Sequence, residues 1–118
     1  MMESILASIK KLLGPSAEDQ YFEPDIIMHI NSVFADLNQI GVGPADGFAV
    51  EDASAKWTDF IPEASLAKLS NVKTYIYLRV RLVFDPPNNS AVIESINKQI
   101  EKLESRLNIA AESIESKE

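Results

Sequence analysis

The feature that most constrains the fold of this chain is the stretch Leu66–Phe84, because apolar residues occupy nearly every side of the helix that it predicts. With about 3.6 residues per turn, one face collects Leu69, Val72, Ile76, Val80 and Val83. A second apolar row, on the other side, consists of Tyr75, Leu78 and Leu82. Such a helix must be covered nearly all round. We therefore predict the central helix of a bundle, whose second row packs against another helix or another subunit.

Basic residues inside this stretch argue against a membrane span, because a charge in the bilayer is costly. Two of them, Arg79 and Arg81, project from opposite sides of the helix. A buried guanidinium without a partner is expensive, so each needs a carboxylate, a carbonyl or an exit to solvent. Two interpretations stay open: an apolar stem on the core with its head in water, or a pair across a subunit boundary.

Three further segments show the helical spacing of apolar residues. Residues 4–13 predict a short helix that ends at Gly14-Pro15. Residues from about 24 to 40 predict an amphipathic helix that ends at Gly41. After two prolines, the last helix carries the narrow seam of a helix packed lengthwise on another. That seam consists of Ile93, Ile96, Ile100, Leu103 and Leu107.

Residues 42–62 lack a helical period. Phe48 and Val50 alternate with small or polar residues, and a turn-like segment separates them from a run around Trp57. This pattern predicts a short β-hairpin or extended loop between the second and third helices, with Trp57 and Phe60 packed onto the helices. The predicted fold class is all-α: a small four-helix bundle with this hairpin or loop over residues 1–110, followed by a short, acidic, mobile tail at 111–118.

Composition narrows the functional classes. The 118 residues suffice for one domain with a real core, and 46% hydrophobic residues argue against general disorder. A net charge of −7 disfavours a protein that grips nucleic-acid phosphates. The absence of cysteine rules out disulfides and thiolate metal sites. The N-terminal segment lacks the pattern of a signal peptide, so the expected compartment is the cytoplasm.

Several patterns resemble functional sites, and each has a simpler explanation. Ser65 and Lys68 match the Ser-x-x-Lys spacing of penicillin-recognising enzymes, but the accompanying Ser-Asp-Asn and Lys-Thr-Gly motifs are missing. The glycines of Gly41–Pro44 follow a helix, whereas a phosphate-binding loop precedes one. His29 and Asp36 lie along one edge of the second helix, where a boundary histidine is the simpler interpretation.

The acidic residues of the loop region lack the ligand spacing and turn glycine of a calcium loop. They are Asp46, Glu51, Asp52, Asp59 and Glu63. A solvated acidic surface is therefore favoured, and we predict no catalytic residue, no metal site and no cofactor.

Four segments follow one another in a characteristic order: the helix start at 25–31, Gly41–Pro44, Trp57–Phe60 and Val72–Pro87. This order resembles the head–tail connector (adaptor) proteins of long-tailed bacteriophages and prophages, over about residues 3–112. The resemblance implies a non-enzymatic α-helical subunit of the virion, assembled in the host cytoplasm into a ring that is commonly twelve-fold. The ring would lie beneath the portal protein and above a stopper or tail-completion protein, and DNA would pass through it without specific binding.

On this hypothesis two groups of residues are expected to make contacts between proteins. The subunit interface is expected at Tyr75, Leu78, Arg79, Arg81 and Leu82. The portal-docking segment is expected at Leu107, Ile109 and Ile114. Two alternatives remain: a cytoplasmic helical regulator or antitoxin-like dimer that uses the 93–107 seam, and a small enzyme that uses His29.

Overall fold

The computed structural model describes residues 4–15, 20–44, 46–61 and 66–116, with side chains throughout except at 66, 67 and 109–116. Within these ranges the chain is helical and contains no strand. The elements are α1 (Ile5–Leu13), a short 3-10 helix (Gln20–Phe22), α2 (Glu23–Gln39), α3 (Trp57–Phe60), α4 (Leu66–Phe84) and α5 (Ser90–Ser116). The all-α prediction is confirmed, and the helix beyond the expected four is the single turn of α3.

Helix α4 lies at the centre of the bundle, where α1, α2 and α5 all pack against it. Its residues Val72, Ile76 and Val80 have no exposed surface, as its all-round apolar pattern predicts. Only apolar and aromatic residues are buried in the described part of the chain. The neighbouring helices contribute Ile5, Leu6 and Ile9 from α1, Ile26, Ile30, Val33, Phe34 and Leu37 from α2, and Ile96, Ile100, Leu103 and Leu107 from α5.

The hairpin prediction is wrong for the described residues between α2 and α4, and the extended-loop alternative is what forms. Trp57 does not begin a strand but a turn of helix, because the carboxylate of Asp59 accepts a hydrogen bond from the Lys56 amide at 2.8 Å. An isolated antiparallel bridge joins Lys56 to Ser4 at the start of α1. The run around Trp57 therefore pairs with α1 and not with Val50.

Val50 has no strand partner because the side chain of Asn31 on α2 takes that place. The Asn31 Oδ1 atom accepts from the Val50 amide at 2.7 Å, and Nδ2 donates to the Val50 carbonyl at 3.0 Å. A second amide, Asn38, donates to the Pro44 carbonyl at 3.0 Å. Two side chains of α2 thus satisfy loop backbone groups that would otherwise lack partners.

The aromatic residues of the loop pack onto the helices, as predicted. Trp57 and Phe60 are each 2% exposed. The indole nitrogen of Trp57 donates to the Ser8 hydroxyl at 3.1 Å, and the Phe60 ring lies 4.5 Å from that of Phe34. These contacts fix the loop against both α1 and α2.

The Gly41–Pro44 segment ends α2, as expected for a helix stop. Gly41 has a φ of +87°, and its amide donates to the Asn38 carbonyl at 3.1 Å. The Val42 amide donates back to the Leu37 carbonyl at 2.9 Å, and both side chains are buried. This pair of bonds and the apolar contact constitute a Schellman motif.

Gly43→Ala is expected to destabilise the fold. Gly43 has a φ of +92°, and a Cβ atom there would lie 2.3 Å from Cε1 of the buried Phe60 ring. The backbone conformation costs about 1–2 kcal/mol for an L-residue, and forced repacking of a core ring adds about 1–3 kcal/mol. Urea denaturation measures the loss.

Gly47→Ala is the matched control, because Gly47 has a φ of +91° and open space where its Cβ would lie. The free energy of unfolding of this variant should fall only by the cost of the backbone conformation, with no added cost from a displaced ring. Equal losses in the two variants would contradict the contact between Gly43 and Phe60.

Candidate functional site

The sequence patterns that resemble functional sites do not form a reactive cluster in the described part of the chain. Ser65 and Glu63 lie outside the described residues. Asp59 caps α3, and Asp52 accepts hydrogen bonds from the Ser54 hydroxyl and amide, which hold the pKa of Asp52 below its usual value. Among the described residues, no three histidine or acidic side chains are close enough together to hold a metal ion.

The most elaborate polar arrangement is a junction of four side chains from three helices, Asp36, Tyr75, Arg79 and Glu104, which we call the Arg79 junction. The guanidinium of Arg79 contacts the Asp36 carboxylate on α2 at 2.6 Å and donates to the Tyr75 hydroxyl at 2.7 Å. That hydroxyl donates in turn to Glu104 on α5 at 2.7 Å. Tyr75 and Arg79 meet because they are four residues apart on α4.

The junction sets the protonation of its central groups. Burial raises the pKa of Tyr75 to about 12, and the adjacent Glu104 carboxylate acts in the same direction. Burial alone would lower the pKa of Arg79, but the hydrogen bond to Asp36 and the contact with Tyr75 raise it above its usual value. Arg79 therefore stays charged and Tyr75 stays neutral, so the junction works as a fixed link between helices.

This link is modest in energy. The Arg79 side chain is 27% exposed and that of Asp36 is 46% exposed. Solvent screens such a pair, and it contributes at most about 1 kcal/mol. Its main effect is orientation, because it joins α2 and α5 to the same turn of α4.

Two residues of the expected subunit interface are buried within the chain. Tyr75 is 1% exposed and Leu78 is 6% exposed; α5 packs against α4, and Tyr75 donates to Glu104 of α5. Tyr75 and Leu78 of the second row are thus covered within the chain, whereas Leu82 keeps part of its surface exposed. Arg79 pairs with a carboxylate of its own chain, that of Asp36.

The other predicted contact residues divide differently. Leu82 and Arg81 each keep part of their surface exposed. Leu107 is 2% exposed and packs in the core of its own subunit. The side chains of Ile109 and Ile114 lie outside those that the structure describes, although the backbone of α5 is helical to Ser116.

Arg81 has an incomplete set of partners. Its Nη1 atom donates to the Tyr77 hydroxyl at 2.9 Å, four residues earlier on α4. Its Nε atom is buried and has no acceptor. No described carboxylate lies within ion-pair distance of it. Unsatisfied buried donors are uncommon in folded proteins, so Arg81 marks a surface of interest.

Sequence reasoning missed Asp36 and Glu104. Asp36 is 43 residues from Arg79 in the chain, and nothing in the spacing pairs them. The available signal was indirect: Arg79 needed a carboxylate, and Asp36 lies at the edge of the α2 apolar face. Glu104 directly follows the seam residue Leu103, where a polar group can reach around the α4–α5 contact.

The fold and this junction define a small helical bundle whose polar side chains join helices to one another. The family model described as phage connector protein matches residues 5–113. The chain therefore belongs to the phage connector protein family, and the resemblance noted in the sequence is confirmed. This family indicates a structural role in the phage particle, at the head–tail junction.

A search of curated proteins and a search of solved structures found no match to the chain. Within the described residues, no helix has both the length and the apolar character needed to cross a membrane.

Tyr75→Phe is expected to change how stability depends on alkaline pH. The pKa of Tyr75 is about 12 in the folded chain and 10.0 in its ordinary state. The folded state thus holds this proton more tightly, so the contribution is complete below pH 10.0 and is lost as the pH rises through about 12. The variant should lose less stability than the wild type over this interval.

Denaturant unfolding at several pH values measures this difference, and at neutral pH the variant should be less stable by about 1 kcal/mol. Tyr21→Phe is the control, because that ring is 79% exposed and lies outside the Arg79 junction. Identical pH profiles for Tyr75→Phe and the wild type would show that the Tyr75 hydroxyl is not held as described.

Proposed function

We propose that the chain is a head–tail connector subunit that forms a ring beneath the portal and extends the DNA channel toward the tail. The observation that carries this proposal is the match of the connector family model to residues 5–113, nearly the whole chain. The mechanism is geometric: each subunit presents one surface to the next, and repeated contacts close the ring. On this proposal the protein is not an enzyme.

The charge of the chain supports a role beside DNA. A net charge of −7 disfavours contacts to phosphates, which require clustered lysine and arginine. Glu51, Asp52 and Asp59 are exposed in the loop and at α3. A ring of such subunits would let DNA pass through its lumen without specific binding.

The predicted contact residues take revised roles in this proposal. Arg81 and Leu82 keep exposed surface on α4 and remain candidates for the contact between subunits. Tyr75, Leu78 and Arg79 contribute indirectly, because they hold α5 and α2 to α4 and so set the shape of the subunit.

The end of α5 is the proposed arm toward the portal. Leu107 anchors the helix in the core, and the helix continues for nine residues beyond it, to Ser116. Ile109 and Ile114 lie on this extension and are the candidates for contact with the portal. The stopper or tail-completion protein would then bind the opposite side of the ring.

Burial of the 93–107 seam within one chain weighs against the alternative of a regulatory dimer. Its seam would use residues 93–107, but Ile100, Leu103 and Leu107 are already 7%, 6% and 2% exposed within one chain. A dimer through this seam would require α5 to leave α4, which would uncover Tyr75 and Leu78.

A phage that lacks this gene is expected to make filled heads and separate tails that do not join. Electron microscopy of the lysate counts joined and unjoined particles, and expression of the wild-type chain in trans should restore infectious particles. Normally joined particles without the gene would refute the connector role.

Truncation after Asn108 is expected to leave the fold intact and weaken capture of the portal. The removed residues lie beyond Leu107, the last described side chain of α5 in the core. Thermal unfolding followed by circular dichroism should show little change in melting temperature, and co-sedimentation with purified portal should fall at least about tenfold, which corresponds to about 1.4 kcal/mol. Undiminished co-sedimentation would remove the arm from portal binding.

A further inference from the structure

We propose that neighbouring subunits in the ring meet through two opposite faces of the bundle, with Asp25 of one copy paired to Arg81 of the next. The first face, the α2 outer face, consists of Tyr21, Asp25, Met28, Ser32 and Ala35. The second, the α4 outer face, consists of Ser70, Thr74, Tyr77 and Arg81. This inference rests on the proposed ring and assigns the surfaces that close it.

The α2 outer face is unusually poor in charge for an exposed helix. Of the residues of α2 that are exposed, only Asp25 is charged; the others are Pro24, Met28, Ser32, Ala35 and Gln39. Met28 is 60% exposed, and Tyr21, about two turns earlier, is 79% exposed. The solvent side of α5 contrasts with this, because it carries Glu94, Lys98, Glu101, Lys102 and Arg106. Depletion of charge together with exposed tyrosine and methionine is typical of an interface core.

The α4 outer face offers a shallow strip on which another helix can lie. Ser70 and Thr74 are exposed and small, and Tyr77 and Arg81 continue the strip at helical spacing. Small side chains at such positions allow two helices to approach closely. Of the four residues of the α4 outer face, Arg81 alone is charged.

The two faces lie on opposite sides of the subunit. Arg79 contacts Asp36 on α2, so the Arg79 side of α4 faces α2. Two residues further along a helix turn the direction by about 200°, so Arg81 points away from the side of α4 on which Arg79 meets Asp36. Opposite, non-identical faces give a head-to-tail contact, which is the kind that closes into a ring.

The two charges also lie near the same end of the bundle. The rings of Phe22 and Phe84 lie 5.6 Å apart, so the start of α2 and the end of α4 are at one end of the molecule. Asp25 follows Phe22 by three residues, and Arg81 precedes Phe84 by three. Each charge therefore lies about one helical turn from the same end of the molecule, where Asp25 of one copy can meet Arg81 of the next.

Charge complementarity selects a second copy as the occupant. In the described part of the chain, Asp25 makes no ion pair or hydrogen bond through its side chain, and Arg81 binds only the Tyr77 hydroxyl. Each lacks the partner that the other supplies. Because a net charge of −7 makes copies repel in most orientations, one favourable pair beside the apolar contact of Met28 fixes how they meet.

A charge exchange tests this contact. Arg81→Glu and Asp25→Arg are each expected to reduce ring formation on purified portal at least about tenfold, which corresponds to about 1.4 kcal/mol, and the double variant should restore it. Arg106→Glu, an exposed arginine of α5, makes the same charge change as Arg81→Glu and should leave rings unchanged. Rings are counted by electron microscopy, and thermal unfolding establishes that each variant is folded.

Cross-linking gives a second measurement that does not depend on charge. The chain contains no cysteine, so Asp25→Cys and Arg81→Cys chains each carry a single thiol. On oxidation during assembly, a mixture of the two should give a disulfide-linked dimer, and neither chain alone should.

The outcomes separate this inference from the connector role. Three results would overturn the Asp25–Arg81 contact and leave the connector role standing. They are normal ring formation by both single charge variants, a double variant that forms no more rings than the single variants, and a mixture of the cysteine chains that gives no linked dimer. Absence of wild-type rings even with portal present would overturn both.

Discussion

The bundle depends on the need to cover α4. Its apolar side chains face in nearly every direction, and the chain meets this requirement with α1, α2 and α5 on different sides. Burial of this single helix therefore decides the positions of the others. The strip left open carries Ser70 and Thr74, which are small and polar and tolerate water. The same strip is free for contact with another molecule because the core needs no further cover there.

The Arg79 junction gives this packing its orientation. Apolar surfaces are non-directional, so burial alone permits α2 and α5 to slide or rotate on α4. Hydrogen bonds from Arg79 to Asp36 and from Tyr75 to Glu104 are directional, and they meet on one turn of α4. The junction thus adds direction to apolar packing and gives the bundle a defined shape.

Much of this fold follows from the sequence, since the periods of α2 and α4 are strong and their stop signals are local. The conformation of the Trp57 segment was harder to predict, because the alternation of apolar and polar residues around Phe48 and Val50 resembles that of a strand. Two interactions favour the observed loop over a hairpin: the Asp59 cap of α3 and the hydrogen bonds of the Asn31 amide. Both depend on contacts that the periodicity of the sequence does not reveal. The second row of α4 was correctly seen to need cover, but a sequence cannot say which chain supplies it. The proposed contact surface is harder still to predict, because the exposure of its residues and the orientation of Arg79 toward Asp36 become visible only in the folded chain.

The fastening of the loop by Asn31 and Asn38 has an evolutionary consequence. These two amides hold the loop at Val50 and at Pro44, and they belong to α2 rather than to the loop itself. Between the anchored points Phe48 packs on Phe34 and Phe60, but Asp46 and Ala49 are exposed and can change while the helices keep their arrangement. Adaptation to a different neighbouring protein would be concentrated at such exposed loop positions while the bundle stays the same.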